Sequence, residues 1–318
     1  PAKGSRAILR YDLPASLVVF LVALPLSLGI AVASGAPILA GIIAAIVGGI
    51  VAGALGGSPL QVSGPAAGLT VIVAGLIAEF GWAVTCAITV GAGILQILFG
   101  LSRVARAALA ISPVVVHAML AGIGITIALQ QLHVLLGGKS NSSAWENIHE
   151  LPAQVSNIHG PGFLLGMLVI VTLVAWRWVP APINKVPGPL VAIVGVTALS
   201  VLLPFDVKRI QINGSLLDSL SLPTLPTGDW DGVIAGVLTV ALIASVESLL
   251  SAVSVDRMHN GPRTNFDREL IGQGAANIGA GLLQGMPIGG SVSGTALNIS
   301  SGAKSRWANV FSGLLVVL

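Results

Sequence analysis

Charge is what this sequence lacks most: Asp, Glu, Lys and Arg together make 8% of its 318 residues, against about 25% in an ordinary soluble domain. A water-soluble globule is excluded. Cysteine is reduced to Cys86 alone, which rules out an internal disulfide and a cysteine-built metal cluster and reads as a small buried apolar residue. Aromatic side chains reach only 4%, and the net charge of +3 is spread over short loops. With no stacking platform and no basic groove, nucleic acid is not a partner. What the chain has in plenty is apolar residues, 54%, together with 40 glycines and 18 prolines. Set among Leu, Ile, Val and Ala, these glycines and prolines are the close-packing residues of membrane helices rather than a sign of disorder.

A helix crosses the hydrocarbon core with about 20 apolar residues. Hydropathy and chain breakers predict spans near Leu13–Ala33, Ile38–Leu55, Pro65–Ala78, Ala83–Leu101, Val114–Leu136, Phe163–Val179 and Leu190–Leu203. A second set follows near Val233–Val255, Leu270–Leu283, Ser291–Ser301 and Ala308–Leu318, the last with no closing polar flank, so the chain is expected to stop inside a helix. The expected architecture is an all-α polytopic membrane protein with three parts. Residues 1–204 form a first repeat, 205–232 an extracytoplasmic connector, and 233–318 an incomplete second repeat. Sorting the basic residues by loop tests this division, because cytoplasmic loops carry the Lys/Arg excess. With the N-terminus inside, one side collects Lys3, Arg6, Arg10, Arg103, Arg106, Arg177, Lys185, Arg257, Arg263, Arg268, Lys304 and Arg306, and the other only Lys139, Lys208 and Arg209. The expected location is a cell membrane, with a cytoplasmic N-terminus.

Two spans are short and open with glycine: Gln61-Val-Ser-Gly-Pro-Ala-Ala-Gly-Leu-Thr70 and Pro287-Ile-Gly-Gly-Ser-Val-Ser-Gly-Thr-Ala-Leu-Asn298. Each is the third of its set. Glycine-interrupted segments at matching positions of two halves point to an inverted repeat with a binding site at the midplane. A half-helix starting there leaves amide groups unpaired and a partial positive charge facing the cavity, which attracts an anion. Gly64, Gly68, Gly289, Gly290 and Gly294 admit close backbone approach, and Ser63, Ser291 and Ser293 add hydroxyls.

Glu247 lies near the centre of its span, where a carboxylate costs roughly 2.5–3.5 kcal/mol to insert. It is expected to face a cavity and to carry a proton or sit beside a sodium ion, with Ser251 one turn on supplying a second oxygen. The alternative is a structural hydrogen bond within the bundle. Glu79, the only other acid placed near a span, falls at a helix end before Gly81-Trp82. His117 and His133 lack ligand spacing and read as core or interfacial residues. Trp176-Arg177-Trp178 reads as an interfacial anchor, and Gly49-Ile-Val-Ala-Gly53 as a helix-packing face.

Tyr11-Asp-Leu-Pro-Ala15, Ala23-Leu-Pro-Leu-Ser-Leu-Gly29, Ala33-Ser-Gly-Ala36, Val62-Ser-Gly-Pro-Ala-Ala-Gly68, Arg268-Glu-Leu-Ile-Gly-Gln-Gly274 with Asn277, and Gly285-Met-Pro287 together resemble the SulP (SLC26-type) anion transporters. The resemblance implies fourteen segments in two inverted sevens, split into core and gate and working as an elevator. Three to four segments and a cytoplasmic C-terminal domain, STAS or another, would then be absent from this chain. A small inorganic anion, a lipid bilayer and a homodimer are the partners it implies. The anion would lie between segments three and ten, on Ser63, Gly64, Pro65, Ala66, Ala67, Gly290, Ser291, Val292 and Ser293. Glu247 and Ser251 fall where sodium-coupled bicarbonate members coordinate the cation, with Gly290, Ser291 and Val292 beside them. Sodium or a proton is thus the implied coupling ion, with no other cofactor. Two departures bear on selectivity. Ser291-Val-Ser-Gly294 stands where many members have Ser-x-Ser-Arg, and Pro25-Leu-Ser27 where many have Pro-Gln-Gly, leaving Ser27 as the replacement contact. Both favour a small, singly charged ion, bicarbonate ahead of sulfate. The rival readings are a passive anion channel or exchanger and a nucleobase-type proton symporter. An enzyme is not expected, since no nucleophile and base stand at usable spacing.

Overall fold

The computed structural model describes residues 8–104, 113–138, 144–180, 183, 186, 188–203 and 222–318. Lys3, Arg6, Arg106, Lys139, Lys185, Lys208, Arg209, most of the connector at 205–232 and the side chain of His117 lie outside the described residues. Helices α1 (Leu13–Ala33), α2 (Ile38–Leu55), α3 (Ala67–Phe80) and α4 (Trp82–Leu101) come first, with a short strand β1 (Val62–Pro65) ahead of α3. Then follow α5 (Pro113–Leu135), α6 (Ala144–Ser156), α7 (Gly160–Ala175), α8 (Gly188–Leu202), α9 (Trp230–Met258) and α10 (Phe266–Leu282). Strand β2 (Ile288–Ser291) leads directly into α11 (Val292–Ser300), and α12 (Trp307–Val317) ends the chain. Among the described residues, five helices are long and apolar enough to cross a bilayer.

The ends of these helices are written in local chemistry. Pro14 sits in the first turn of α1, where its missing N–H costs nothing. Gly81, at φ 79°, closes α3 and opens α4 in a backbone region that suits only glycine. Asn265 and Ser291 cap α10 and α11 by accepting from the amides of Arg268 and Gly294.

The chain packs as two compact units: Pro1–Ala121 with Gly214–Leu318, and Gly122–Asn213. In the first, glycines bring helices to backbone contact, as expected where lipid gives no hydrophobic drive between helices. A methyl on Gly93 of α4 would come within 2.6 Å of the Gly274 carbonyl of α10, and one on Gly281 within 2.6 Å of the Cys86 carbonyl. Gly49 and Gly53 of α2 lie against Gly313 and Asn309 of α12, so the small-residue face read from the sequence is a packing face. Cys86 is buried. Helix ends that the span alternation assigns to one side are bonded together. Asp12 accepts from the Lys304 and Ser305 amides at 2.7 and 3.0 Å, and Arg268 Nε donates to the Leu55 carbonyl at 2.9 Å.

The second unit contains α6, a helix in a stretch read from the sequence only as an outside loop. Its hydrophilic composition hid it. His133 is buried, as one of the two expected alternatives has it; its Nε2 lies 2.7 Å from the carbonyl of the buried Asn147, while its Nδ1 is buried with no partner. Trp176 and Trp178 form a 3₁₀ turn at the end of α7, Trp178 exposed and Trp176 donating to the Val186 carbonyl.

Candidate functional site

Each short glycine-rich segment enters not as a helix turn but as a strand, and the two strands pair. Val62, Ser63, Gly64 and Pro65 stand opposite Ser291, Gly290, Gly289 and Ile288 in an antiparallel register. A four-residue strand covers about 13 Å and a nine-residue helix about 14 Å, together close to the roughly 30 Å hydrocarbon core. Strand and half-helix together thus match the core in length, and the pairing satisfies backbone groups that lipid could not. Room for the pair comes from α2, which widens into a π-turn at Gly48–Ala52. There a methyl on Gly48 would lie 2.7 Å from the Ser63 carbonyl.

Helix α9 runs along this junction. Glu247 Oε1 accepts from the Gly68 amide at 3.3 Å, at the start of α3, while Oε2 is buried with no partner. A methyl on Gly68 would come within 2.9 Å of that free oxygen and one on Gly289 within 3.4 Å, so glycine at both positions makes room for the carboxylate. One turn further, Ser251 is fully buried with an unpartnered Oγ, and its Cβ faces Gly290. Ser248 between them accepts from the Gly290 amide at 3.1 Å. Two orphaned oxygens on one helix face, beside a broken backbone, are a donor set suited to a hard cation or a proton.

The predicted residues separate into two groups. Gly64, Ala67, Glu247, Ser291, Val292 and Ser293 are at least partly exposed, with free space beside Gly64. Ser291 and Ser293 hydroxyls stand 3.3 Å apart. Ser63, Pro65, Ala66, Gly290 and Ser251 are buried. Ser63 is engaged elsewhere: its Oγ accepts from Gln273 Nε2 at 2.7 Å. Ser27 donates to the Ala23 carbonyl of its own helix at 2.7 Å, and its own carbonyl faces Gly41 of α2.

Sequence reasoning missed a polar stripe on α10. Glu269, Gln273 and Asn277 recur every fourth residue, which puts them on one helix face. Asn277 Oδ1 accepts from the Ile288 amide at 2.7 Å and Nδ2 donates to the Ile288 carbonyl at 3.0 Å, standing in for a strand neighbour of β2. Gln273 also donates to Glu269, whose other oxygen accepts from the Gly57 and Ser58 amides at 2.8 and 2.9 Å. Glu269, 2% exposed, is therefore an acid buried more deeply than Glu247, which corrects the choice of Glu79 as the only other candidate. Glu79 is exposed at the end of α3. The span predicted from Leu270 leaves Glu269 outside it, whereas α10 begins a turn earlier at Phe266.

Two broken segments meeting inside a bundle of apolar helices define an all-α polytopic membrane protein of the broken-helix type. The chain belongs to the sulfate permease family, which it matches over residues 9–318. It is 31% identical over 319 residues to the Bacillus subtilis protein YvdB, covering 96% of this chain and 59% of that one. To the bicarbonate transporter BicA of Picosynechococcus it is 29% identical, covering 98% and 57%. The chain thus spans little more than half the length of these curated relatives. Among solved structures, the transmembrane domain of a cyanobacterial BicA aligns with a TM-score of 0.86 at 28% identity, covering 98% of this chain and 82% of that one. The murine Solute Carrier 26 member A9 shares the fold, with a TM-score of 0.78 at 16% identity over 96% of this chain and 55% of that one.

Proposed function

We propose that this protein is a secondary active transporter of a small inorganic oxyanion, bicarbonate or sulfate, working by elevator-type alternating access and coupled to sodium or protons. The observation that carries the reading is the position of Glu247, whose carboxylate bonds the first turn of one broken segment and faces Gly289 of the other. An anion beside Gly64, Ala67 and Ser293 would be neutralised across this junction by a cation on Glu247 and Ser251, so binding of each favours the other. The family description supports sulfate, and the BicA relatives support bicarbonate. No full positive charge stands on Ser291-Val-Ser-Gly294, which favours a singly charged ion and thus bicarbonate. The two repeats at 1–204 and 233–318, the cytoplasmic N-terminus in a bacterial inner membrane, a homodimer and a cytoplasmic C-terminal domain belong to the same proposal.

Flux of labelled anion into proteoliposomes tests it. Wild-type uptake is expected to follow an imposed sodium or proton gradient, and Glu247→Gln to lose that dependence. Coupling that survives in Glu247→Gln removes the residue from this role, and a wild-type reversal potential that ignores both gradients makes the protein a passive channel. Competition by bicarbonate, sulfate, nitrate and fumarate identifies the anion.

A further inference from the structure

A cavity of about 600 Å³ opens in the first unit, far from Glu247 in the chain's path, between the turn after α9 and the turn that leads into α12. Its polar lining includes His259, Lys304 and Arg306 and contains no carboxylate. The acids nearby are committed to other groups. Asp12 accepts from the Lys304 and Ser305 amides, Asp256 from the Thr264 amide and hydroxyl at 3.1 and 2.8 Å, and Glu269 from Gly57 and Ser58. Arg306 Nη1 donates to the Ala54 and Gly56 carbonyls at 2.6 and 3.3 Å, which leaves Nε and Nη2 for a ligand. Burial first, and the neighbouring Arg268 second, work against its charge, with Glu269 working for it.

His259 completes the set. Its Nδ1 accepts from the Gly261 amide at 2.8 Å, so the neutral ring carries its proton on Nε2. That Nε2 is buried and has no acceptor. A buried donor without a partner costs about 1–3 kcal/mol, and here it stands in a cavity whose two charged side chains are also donors only. Three donor groups and no acid call for a ligand with several anionic oxygens. Ile8, Leu60, Ile299 and Trp307 supply an apolar wall, and the volume far exceeds a bare inorganic ion.

We propose that this cavity binds a phosphate monoester, with its phosphoryl oxygens on Lys304, Arg306 and His259 Nε2 and its carbon part against Trp307. A dianionic phosphoryl group matches the two cations. The ester comes either from a phospholipid headgroup or from a soluble metabolite, and the test separates them.

Full-length protein in nanodiscs of zwitterionic lipid is titrated with glycerol 3-phosphate, and a parallel set of nanodiscs contains phosphatidic acid. The readouts are tryptophan fluorescence and melting temperature. Lys304 serves the fold only through its amide, so Lys304→Glu keeps the Asp12 bonds, and His259→Ala removes the ring donor. A saturable response to glycerol 3-phosphate, weakened at least about tenfold in both variants, identifies a soluble ester. A response confined to phosphatidic acid, with the same loss in both variants, identifies a lipid headgroup. No response in either arm, or a response that Lys304→Glu leaves unchanged, overturns the proposal.

Discussion

Gly64 is the residue at which the anion reading is most exposed to test. Its neighbours in the paired strands are crowded, but nothing lies within 4 Å of the place a methyl would take, and its φ is not in the region reserved for glycine. Gly64→Ala is therefore expected to fold and melt like the wild type while cutting anion affinity several-fold, read as a raised half-saturation in the flux assay. An unchanged half-saturation would place the anion elsewhere. Gly68→Ala is the contrasting change, because its methyl meets Glu247 Oε2 at 2.9 Å. Its expected signature is lost cation dependence, as in Glu247→Gln. Much of this site could be read from residue types: a carboxylate in mid-span and serines beside glycines have few uses in lipid. Which way each hydroxyl turns could not be read. Ser63 points to Gln273 because a strand alternates its faces, and nothing in the sequence said that a strand was there.

At the scale of elements, the broken segments stand on α10. Asn277 holds both polar groups of Ile288, and Asn277→Ala would leave a buried N–H and a buried C=O bare, at about 1–3 kcal/mol each. A clear fall in melting temperature in detergent is expected. Asn277→Asp, which keeps the acceptor and loses the donor, should lie between the alanine variant and wild type. Melting unaffected by Asn277→Ala would show that β2 needs no such clamp. Helix positions were legible because apolar runs of 15–25 residues leave little choice inside a bilayer, and ten of the predicted spans need only end adjustments. The third span needs more, since strand β1 and a 3₁₀ turn replace its first helical turn. The strands escaped notice because four residues rich in glycine carry no alternation, and their partners lie more than 220 positions away. The Glu269–Gln273–Asn277 spacing was visible in the sequence. Hydropathy averaging conceals such a stripe, because polar groups that bond one another inside a helix bundle still count as polar.

For the whole molecule, the division into two units is what an elevator would require. The first four spans of the first set pack with the four of the second, and the broken segments, Glu247 and the polar stripe all belong to that one unit. A site built wholly within one body can move with it without being taken apart, and so can keep its ligands while access changes sides. Spin labels test this after the single cysteine is replaced by Cys86→Ser, a conservative change at a buried position. Labels at Ser102 and Arg257 report on the first unit alone, and labels at Ser102 and Val155 report across the two. On adding anion together with sodium or acid, the first distance is expected to stay fixed and the second to move by several ångströms. Were the distance within the first unit to change as much as the other, α4 and α9 would be shifting against each other. Glu247 could not then remain at the Gly68 amide through the cycle, and the rigid-body mechanism would have to be given up in favour of local opening at the strands.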